Sequence, residues 1–271
     1  AATGNKNGSG FGAIYTSNKK GASWHLTDAP ALNYLDLATD EKNSYAAVSQ
    51  DGKIVVNNQQ LESENTNELR AVSYGAGKYI AAGKNGTILH ITGKDSNYAV
   101  KEFNSSSLKV SNLNGITYGS GIWVAGGTLG SLFTSKDGMS WERVKENPFL
   151  AEEDITSLTY GEGLFIAGGT NGKTAVSVDG TNWNEEDIAF PEVAEGQKGN
   201  YNVNALAFGA GQFIGVSSNS KIASASPNIS EPSSITNVLG TAVDDNLQGV
   251  AGNNLIKGYT GNDSLSGSEG R

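Results

Sequence analysis

The chain has 271 residues with a formal net charge of −9, 36 glycines, five prolines and no cysteine. The length allows one or two domains, the lack of cysteine excludes a disulfide framework or a thiolate metal site, and the negative charge argues against binding to nucleic acid or to an anionic membrane. No apolar run reaches the roughly 20 residues that a membrane-spanning helix needs, and glycine without a Gly-X-Y period indicates many tight turns.

The chain opens with an incomplete copy of a unit that recurs through residues 1–226. Residues 1–8 read like the second strand and turn of the later copies, with the first strand missing, and this copy ends at Trp24. A weaker second copy covers residues 33–66. Because the first copy is incomplete, we expect the chain to be a fragment of a longer protein.

The fourth copy, residues 113–146, is the clearest and predicts four short strands. They are expected over residues 116–118, 122–125, 131–134 and 139–144, because each is a short apolar or alternating run between turn residues. The turns contain glycine, which tolerates the positive φ of tight connections. One such meander cannot bury both of its faces, so the copies must stack on one another.

An aromatic residue followed by Gly-x-Gly marks the first turn in four copies. These turns begin at Tyr74, Tyr118, Tyr160 and Phe208. Four-stranded units that repeat at roughly 40 residues, stacked and closed radially, give a β-propeller. We therefore predict an all-β fold with a propeller of about six four-stranded blades. Five blades, if the first and sixth copies share one blade, and seven blades are the alternatives.

The turn before the fourth strand carries a second recurring pattern. Residues 135–141 and 177–183 share the spacing Ser-x-Asp-Gly-x-x-Trp, and residues 17–24 have Lys19 where the aspartate belongs. The pattern resembles the Asp-box of sialidase-like propellers. That resemblance implies that the aspartate accepts turn N–H bonds, the glycine supplies an unusual backbone conformation, and the tryptophan packs between sheets. The residues with this structural role are Asp137, Gly138, Trp141, Asp179, Gly180, Trp183 and Trp24.

We identify no catalytic residue and expect a protein that is not an enzyme. Sialidases hold the substrate carboxylate with an arginine triad, because guanidinium groups bind carboxylates in a bidentate manner. The three arginines lie in unrelated positions of the repeat, at Arg70, Arg143 and Arg271. The two histidines, His25 and His90, are expected on strand surfaces. A glycoside hydrolase that uses paired carboxylates within 152–154 and 185–187 stays open as the enzymatic alternative.

The periodicity changes after a Pro- and Ser-containing linker at residues 227–239. Residues 240–271 repeat every nine residues, with glycines at the start of each unit. Asp245, Asn254 and Asp263 occupy one position of successive units, and Leu247, Ile256 and Leu265 occupy another. This segment resembles the calcium-binding nonapeptide repeats of RTX proteins, which wind into a parallel β-roll. The array stops inside its fourth unit, which also suggests a longer protein.

The RTX resemblance implies Ca²⁺ as the cofactor, held by aspartate carboxylates and backbone carbonyl oxygens. Asp245, Asp263 and Asn254 are the candidate metal residues. Two nonapeptides make one coil of such a roll, so the two aspartates fall on one edge and Asn254, which lacks the charge, on the other. Calcium is therefore expected to favour the edge with the aspartates.

These resemblances imply a secreted or cell-surface bacterial protein exported by type I secretion. We expect a non-catalytic function in recognition or adhesion, with an extracellular glycan or a surface protein as the partner. A structural subunit of a surface layer or filament, which self-assembles, is the alternative.

Overall fold

The structure is a computed structural model, and it is all-β. It describes residues 2–5, 12–17, 21–40, 42, 44–94, 97–103, 108, 112–186, 201–225, 237–239, 246–248, 255–257 and 264–266. Within these ranges, no helix is long and apolar enough to cross a membrane.

Four of the blades are complete meanders of four antiparallel strands, each paired with its sequence neighbour. The second blade comprises β4 (Tyr34–Thr39), β5 (Tyr45–Ser49), β6 (Ile54–Val56) and β7 (Gln59–Leu61), and the third comprises β8 (Leu69–Gly75), β9 (Lys78–Gly83), β10 (Ile88–Lys94) and β11 (Asn97–Phe103). The fourth comprises β12 (Leu113–Gly119), β13 (Ile122–Gly127), β14 (Leu132–Ser135) and β15 (Glu142–Arg143), and the fifth comprises β16 (Ile155–Gly161), β17 (Leu164–Gly169), β18 (Thr174–Ser177) and β19 (Asn184–Glu185).

The first and sixth blades are separate three-stranded sheets among the described residues. The first comprises β1 (Ala2–Asn5), β2 (Gly12–Thr16) and β3 (His25–Leu26), and the sixth comprises β20 (Val203–Gly209), β21 (Gln212–Ser217) and β22 (Ile222–Ala225). The prediction of an all-β propeller with about six blades is confirmed. The five-blade alternative is not realised, because the described strands of the first and sixth copies belong to different sheets.

The blades stack through their first strands, which pack on one another from blade to blade. The aromatic residue of the first turn in the fourth and fifth blades fits over a glycine of the preceding blade: a Cβ on Gly75 would fall in the ring of Tyr118, and one on Gly119 in the ring of Tyr160. Trp123 is fully buried within the apolar cluster between the third and fourth blades. The repeated aromatic residues therefore form the core between blades.

The fourth strand of a blade is shorter than the sequence predicts. β15 has two residues, whereas six were expected at residues 139–144. The backbone N–H groups of Met139 and Ser140 donate to the Asp137 carboxylate, so these residues belong to the turn and not to the strand ladder.

The C-terminal segment forms two small parallel sheets. β23 (Asn237–Leu239) pairs with β25 (Leu255–Lys257), and β24 (Asn246–Gln248) pairs with β26 (Ser264–Ser266). In both pairs the partner residues are two nonapeptides apart, as in Leu247 opposite Leu265. β23 lies at the end of the stretch predicted as a linker, so the paired strands begin before Gly240.

Candidate functional site

The turn at Asp137 is held by a compact set of hydrogen bonds. The Oδ1 atom of Asp137 accepts the N–H groups of Met139 and Ser140, both at 2.7 Å. These backbone donors, Ser140 foremost, lower the pKa of Asp137 to about 2. The indole Nε1 of Trp141 donates to the Gly138 carbonyl oxygen at 2.8 Å, and Gly138 has a φ of 77°. The carboxylate and the indole therefore both hold the turn together through hydrogen bonds to its own backbone.

The turn at Asp179 repeats this geometry in the fifth blade. Asp179 Oδ1 accepts the N–H groups of Thr181 and Asn182 at 2.8 Å, and Trp183 Nε1 donates to the Gly180 carbonyl oxygen at 2.8 Å. Burial alone would raise the pKa of Asp179, but the hydrogen bonds from Asn182 and Thr181 lower it. Trp183 is buried in the cluster with Phe165.

Each of these turns also packs on the preceding blade. A Cβ on Gly138 would fall against the side chains of Ile80 and His90, and one on Gly180 would lie 2.9 Å from Val124. His90 is buried, and its Nε2 lies 2.5 Å from the Gly138 carbonyl oxygen, so the expectation of a strand-surface histidine is wrong. Burial lowers the pKa of His90 because it disfavours the imidazolium form.

Trp24 does not pack between sheets, which corrects the expectation from the sequence. Its side chain is 48% exposed. The indole rings of Trp141 and Trp183 lie against a preceding blade, whereas among the described residues no blade precedes the one that carries Trp24. Related turns therefore give a buried or an exposed tryptophan according to the neighbouring sheet.

We define the loop face as the end of the blades that carries the loops between second and third strands and the connections between blades. At this end a β-bulge in the first strand turns one residue of each blade toward the next. Arg70 Nη1 donates to Asn114 Oδ1 at 2.6 Å, and Asn114 Nδ2 donates to the Ile155 carbonyl oxygen at 2.8 Å. Thr156 donates to the Val203 carbonyl oxygen in the same way.

Charged groups on the loop face neutralise one another. Glu68 pairs with Arg70 at 2.6 Å and with Lys84 at 2.9 Å, and the hydrogen bond from Lys84, with that from Arg70, lowers the pKa of Glu68. The Lys173 ammonium lies 3.6 Å from a carboxylate oxygen of Glu153 and 3.0 Å from one of Glu185.

The two acidic stretches of the enzymatic alternative thus meet at Lys173. Glu153 also accepts the N–H of Leu150, and Asp154 accepts the N–H of Leu129. These carboxylates organise loops, and the sequence carries no motif that identifies Lys173 as their partner. Asp187 lies outside the described residues.

Two exposed leucine side chains lie on the loop face. Leu129 and Leu150 are both more than half exposed, and Gly130 approaches the Leu150 carbonyl oxygen closely. The acidic groups Glu153 and Asp154 hold the loops that carry them. This pair could not be recognised from the sequence, because each leucine lies in a connection that the repeat does not share.

The arginines do not form a triad within the described chain. Arg70 bridges blades on the loop face, whereas Arg143 lies in an outer strand over the ring of Phe133, 5.6 Å from its centroid. Arg271 lies outside the described residues. In the described part of the chain, no group of three or more His, Cys, Asp or Glu side chains is arranged to hold a metal ion.

The candidate calcium residues Asp245, Asp263 and Asn254 lie outside the described residues. Their neighbours in sequence are described: the two aspartates directly precede β24 and β26, which pair in one sheet, and Asn254 precedes β25, which belongs to the other sheet. Carboxylate and carbonyl oxygens are the ligands that Ca²⁺ prefers, so the residues present fit this ion.

Known proteins resemble both parts of the chain: a repeat family matches the C-terminal segment, and solved structures have a similar fold. Residues 239–271 match the RTX calcium-binding nonapeptide repeat family, whose model has four copies. No curated protein sequence matches the chain.

The fold is similar to several solved structures. YCF48 bound to D1 peptide is 14% identical, with 72% of this chain and 66% of that chain covered and a TM-score of 0.52. A chain of the mitotic checkpoint complex structure is 12% identical, with 80% of this chain and 68% of that chain covered and a TM-score of 0.57. The WD40 β-propeller domain of Doa1 is 16% identical, with 72% of this chain and 65% of that chain covered and a TM-score of 0.48. The chain thus spans about two thirds of the length of these structures, and its likeness to the first two shows the fold alone.

Proposed function

We propose that the chain is a secreted or cell-surface recognition protein whose C-terminal repeats fold when they bind Ca²⁺. The single observation that supports this proposal most is the two-nonapeptide register of β24 and β26. It pairs the strands that follow Asp245 and Asp263, in the segment that matches calcium-binding repeats. Secretion is the usual setting of such repeats, and export by the type I route is part of the proposal.

Calcium acts in this proposal through linkage between binding and folding. An ion that binds only the folded repeats stabilises them, by about 2.7 kcal/mol at an ion concentration 100 times the dissociation constant. The repeats would stay unfolded where calcium is scarce and fold where it is abundant. Asp245 and Asp263 would hold the ion together with backbone carbonyl groups of their turns.

The propeller is proposed to bind a glycan or a protein partner without catalysis. Glu153 and Glu185 both form an ion pair with Lys173, and Asp137 and Asp179, in the two turns that resemble Asp-boxes, accept turn N–H groups. The exposed leucines Leu129 and Leu150 lie on the loop face, and such surface loops commonly carry binding sites in propellers and other scaffolds. The similar YCF48 structure is bound to a D1 peptide, which fits a peptide-binding role.

A calcium titration tests the metal part of the proposal. Far-ultraviolet circular dichroism and isothermal titration calorimetry of the purified chain should show saturable binding coupled to a gain of β structure. The double variant Asp245→Asn, Asp263→Asn should lose both signals. Asp51→Asn, which removes a charge from an exposed propeller turn, should keep them. Calcium binding that persists in the double variant would contradict the assignment.

A glycan-array screen, run with calcium and with chelator, tests the recognition part. Saturable binding to a defined sugar, lost in the variant Leu129→Glu, Leu150→Glu, would support a glycan partner on the loop face. Absence of binding in both conditions would reject the glycan and leave a protein partner or the structural subunit as the alternatives. Turnover of a bound sugar would contradict a non-catalytic function.

A further inference from the structure

The loops between second and third strands adopt the same tight turn in the third, fourth and fifth blades. In each, the N–H of the last turn residue donates to the carbonyl oxygen of the first, at 3.0 or 3.1 Å, and both central residues have a positive φ. This is the pattern of a type I′ hairpin turn, in which Asn-Gly is a preferred central pair. The central pairs are Asn85-Gly86, Leu129-Gly130 and Asn171-Gly172.

Leu129 takes a strained backbone conformation without a packing gain. Its φ of 58° lies in the left-handed region, which a short polar side chain such as that of asparagine tolerates better than leucine does. Its side chain is 58% exposed, so burial does not offset the strain. Residues held in such conformations cluster at binding sites, and a broken local rule without a structural gain is typical of function.

Asp154 is a second departure from the repeat at the same place. Its Oδ1 accepts the N–H of Leu129 at 3.0 Å, whereas in the next blade Asn202 Oδ1 accepts the N–H of Asn171 at 3.3 Å. The two acceptors hold equivalent positions, because the N–H of each donates to a hydroxyl group at the end of the second strand of its own blade. A neutral amide therefore supports this turn, and the charge of Asp154 is not needed for it.

The surface around Leu129 combines exposed apolar area with negative charge. Leu150, in the next connection, is 61% exposed, and a Cβ on Gly130 would lie 2.6 Å from its carbonyl oxygen. Glu152 is exposed beside it. Lys173 is already shared by two glutamates, and within the described ranges Asp154 forms no ion pair. The negative charge at the leucines is therefore not neutralised by a neighbouring cation of the described chain.

We propose that Leu129, Leu150 and Asp154 bind a segment of another protein that presents an apolar side chain beside a lysine or arginine. The apolar side chain would cover the leucines, and the cation would lie near Asp154, because burial of apolar area and complementary charge favour association. This inference rests on the proposed recognition function and assigns it a class of partner.

The chemistry of the surface favours this partner over two others. Leucine side chains offer no hydrogen-bonding group to the hydroxyls of a glycan, and burial of unpaired hydroxyls is unfavourable. A second copy of the chain carries a net charge of −9, so like charges oppose its approach to an acidic surface.

Selection from a random peptide library displayed on phage, against the immobilised full chain in calcium, tests the proposal. Enriched peptides should combine an apolar residue with a nearby lysine or arginine. Isothermal titration calorimetry of one such peptide should show binding that Leu129→Asn and Asp154→Asn each weaken about tenfold or more. Added salt should weaken binding to the wild type more than to Asp154→Asn. Leu35→Asn, which removes an exposed leucine of the second blade, should bind like the wild type.

Thermal unfolding separates a binding role of Leu129 from a structural one. Leu129→Asn restores the residue found in the two sister turns, so its thermal midpoint should rise by about 2–4 °C. Asp154→Asn should keep the wild-type midpoint, because Asn202 supports the same turn in the next blade. A lower midpoint in Leu129→Asn would show that the leucine stabilises the fold and would overturn the proposal.

The binding results distinguish this inference from the proposed recognition function. Peptides that bind wild type and Leu129→Asn equally would reject this site and leave recognition standing. Without any enriched peptide the inference fails, and the glycan array then decides whether recognition fails with it. A glycan whose binding Leu129→Asn abolishes would place a sugar here and overturn the protein partner.

Discussion

Asp36 is a titratable side chain in the contact between the second and third blades. It lies at the β-bulge of β4, and its Oδ2 accepts the N–H of Val72 at 2.8 Å. Burial raises the pKa of Asp36 to about 6, even though the N–H groups of Val72 and Leu37 act in the opposite direction. At the same position of the fifth blade, Ser157 Oγ accepts the N–H of Leu206 at 2.9 Å. A hydroxyl group therefore supports the same contact without a charge.

The variant Asp36→Ser should remove a pH dependence of stability. A carboxyl group whose pKa is raised on folding contributes stability that is complete below pH 3.8 and is lost as the pH rises through about 6. The difference in unfolding free energy between wild type and variant should therefore change by about 2 kcal/mol between pH 4 and 7, to the disadvantage of the wild type at the higher pH. Urea unfolding across this range measures it. A difference that is constant with pH would contradict the raised pKa.

Trp183, which is buried, and Trp24, which is exposed, lie in related turns and can be compared by the same substitution. Trp183→Ala should lower the free energy of unfolding by about 3–5 kcal/mol, because the indole is buried against Phe165. Trp24→Ala should cost less than about 1 kcal/mol in the monomer, because its ring is half exposed. Denaturant unfolding at low protein concentration compares them. Equal losses would show that Trp24 is buried in solution.

At the scale of the strand, the glycine that ends the first strand sets the distance between blades. Gly119→Ala should destabilise the protein by about 1–3 kcal/mol, because the new methyl group would overlap the Tyr160 ring. Gly209→Ala is the control: it lies at the same position of the sixth blade, where a Cβ would meet no atom of the described residues within 4 Å. The thermal midpoint should fall in Gly119→Ala and stay unchanged in Gly209→Ala. A lower midpoint in Gly209→Ala would show that another group packs against Gly209.

The repeat made the blades predictable from the sequence, because the aromatic-Gly-x-Gly turns and short apolar runs are local signals. The length of β15 was not predictable in the same way, since it depends on backbone groups that donate to Asp137. The exposure of Trp24 and the burial of His90 depend on whether another blade lies against them. This exposure and burial depend on the stacking of the sheets, which local sequence does not reveal.

The candidate calcium segment was predictable for the same reason, as a repeat with a fixed period. The two-nonapeptide coil inferred from the period agrees with the register of β24 and β26. The arrangement of the loop face was less predictable, because Leu129, Leu150 and Lys173 come together from connections of different blades. Such connections carry no periodic signal.

For the whole molecule, we expect calcium to stabilise the repeats and to leave the propeller unchanged. All four tryptophans, Trp24, Trp123, Trp141 and Trp183, precede residue 227, so tryptophan fluorescence reports on the propeller alone. The thermal midpoint from fluorescence should be the same in calcium and in chelator, whereas circular dichroism should show a calcium-dependent transition. Linkage stabilises only the part of the chain whose folding is coupled to ion binding.

A chain that ends at residue 226 provides the control for this expectation. It should keep the fluorescence midpoint of the complete chain and lose the calcium-dependent transition. If calcium raises the fluorescence midpoint of the complete chain but not of the shortened one, the repeats dock on the blades and share their stability. That result would make calcium a regulator of the propeller, since ion binding would then favour its folded state by the same linkage.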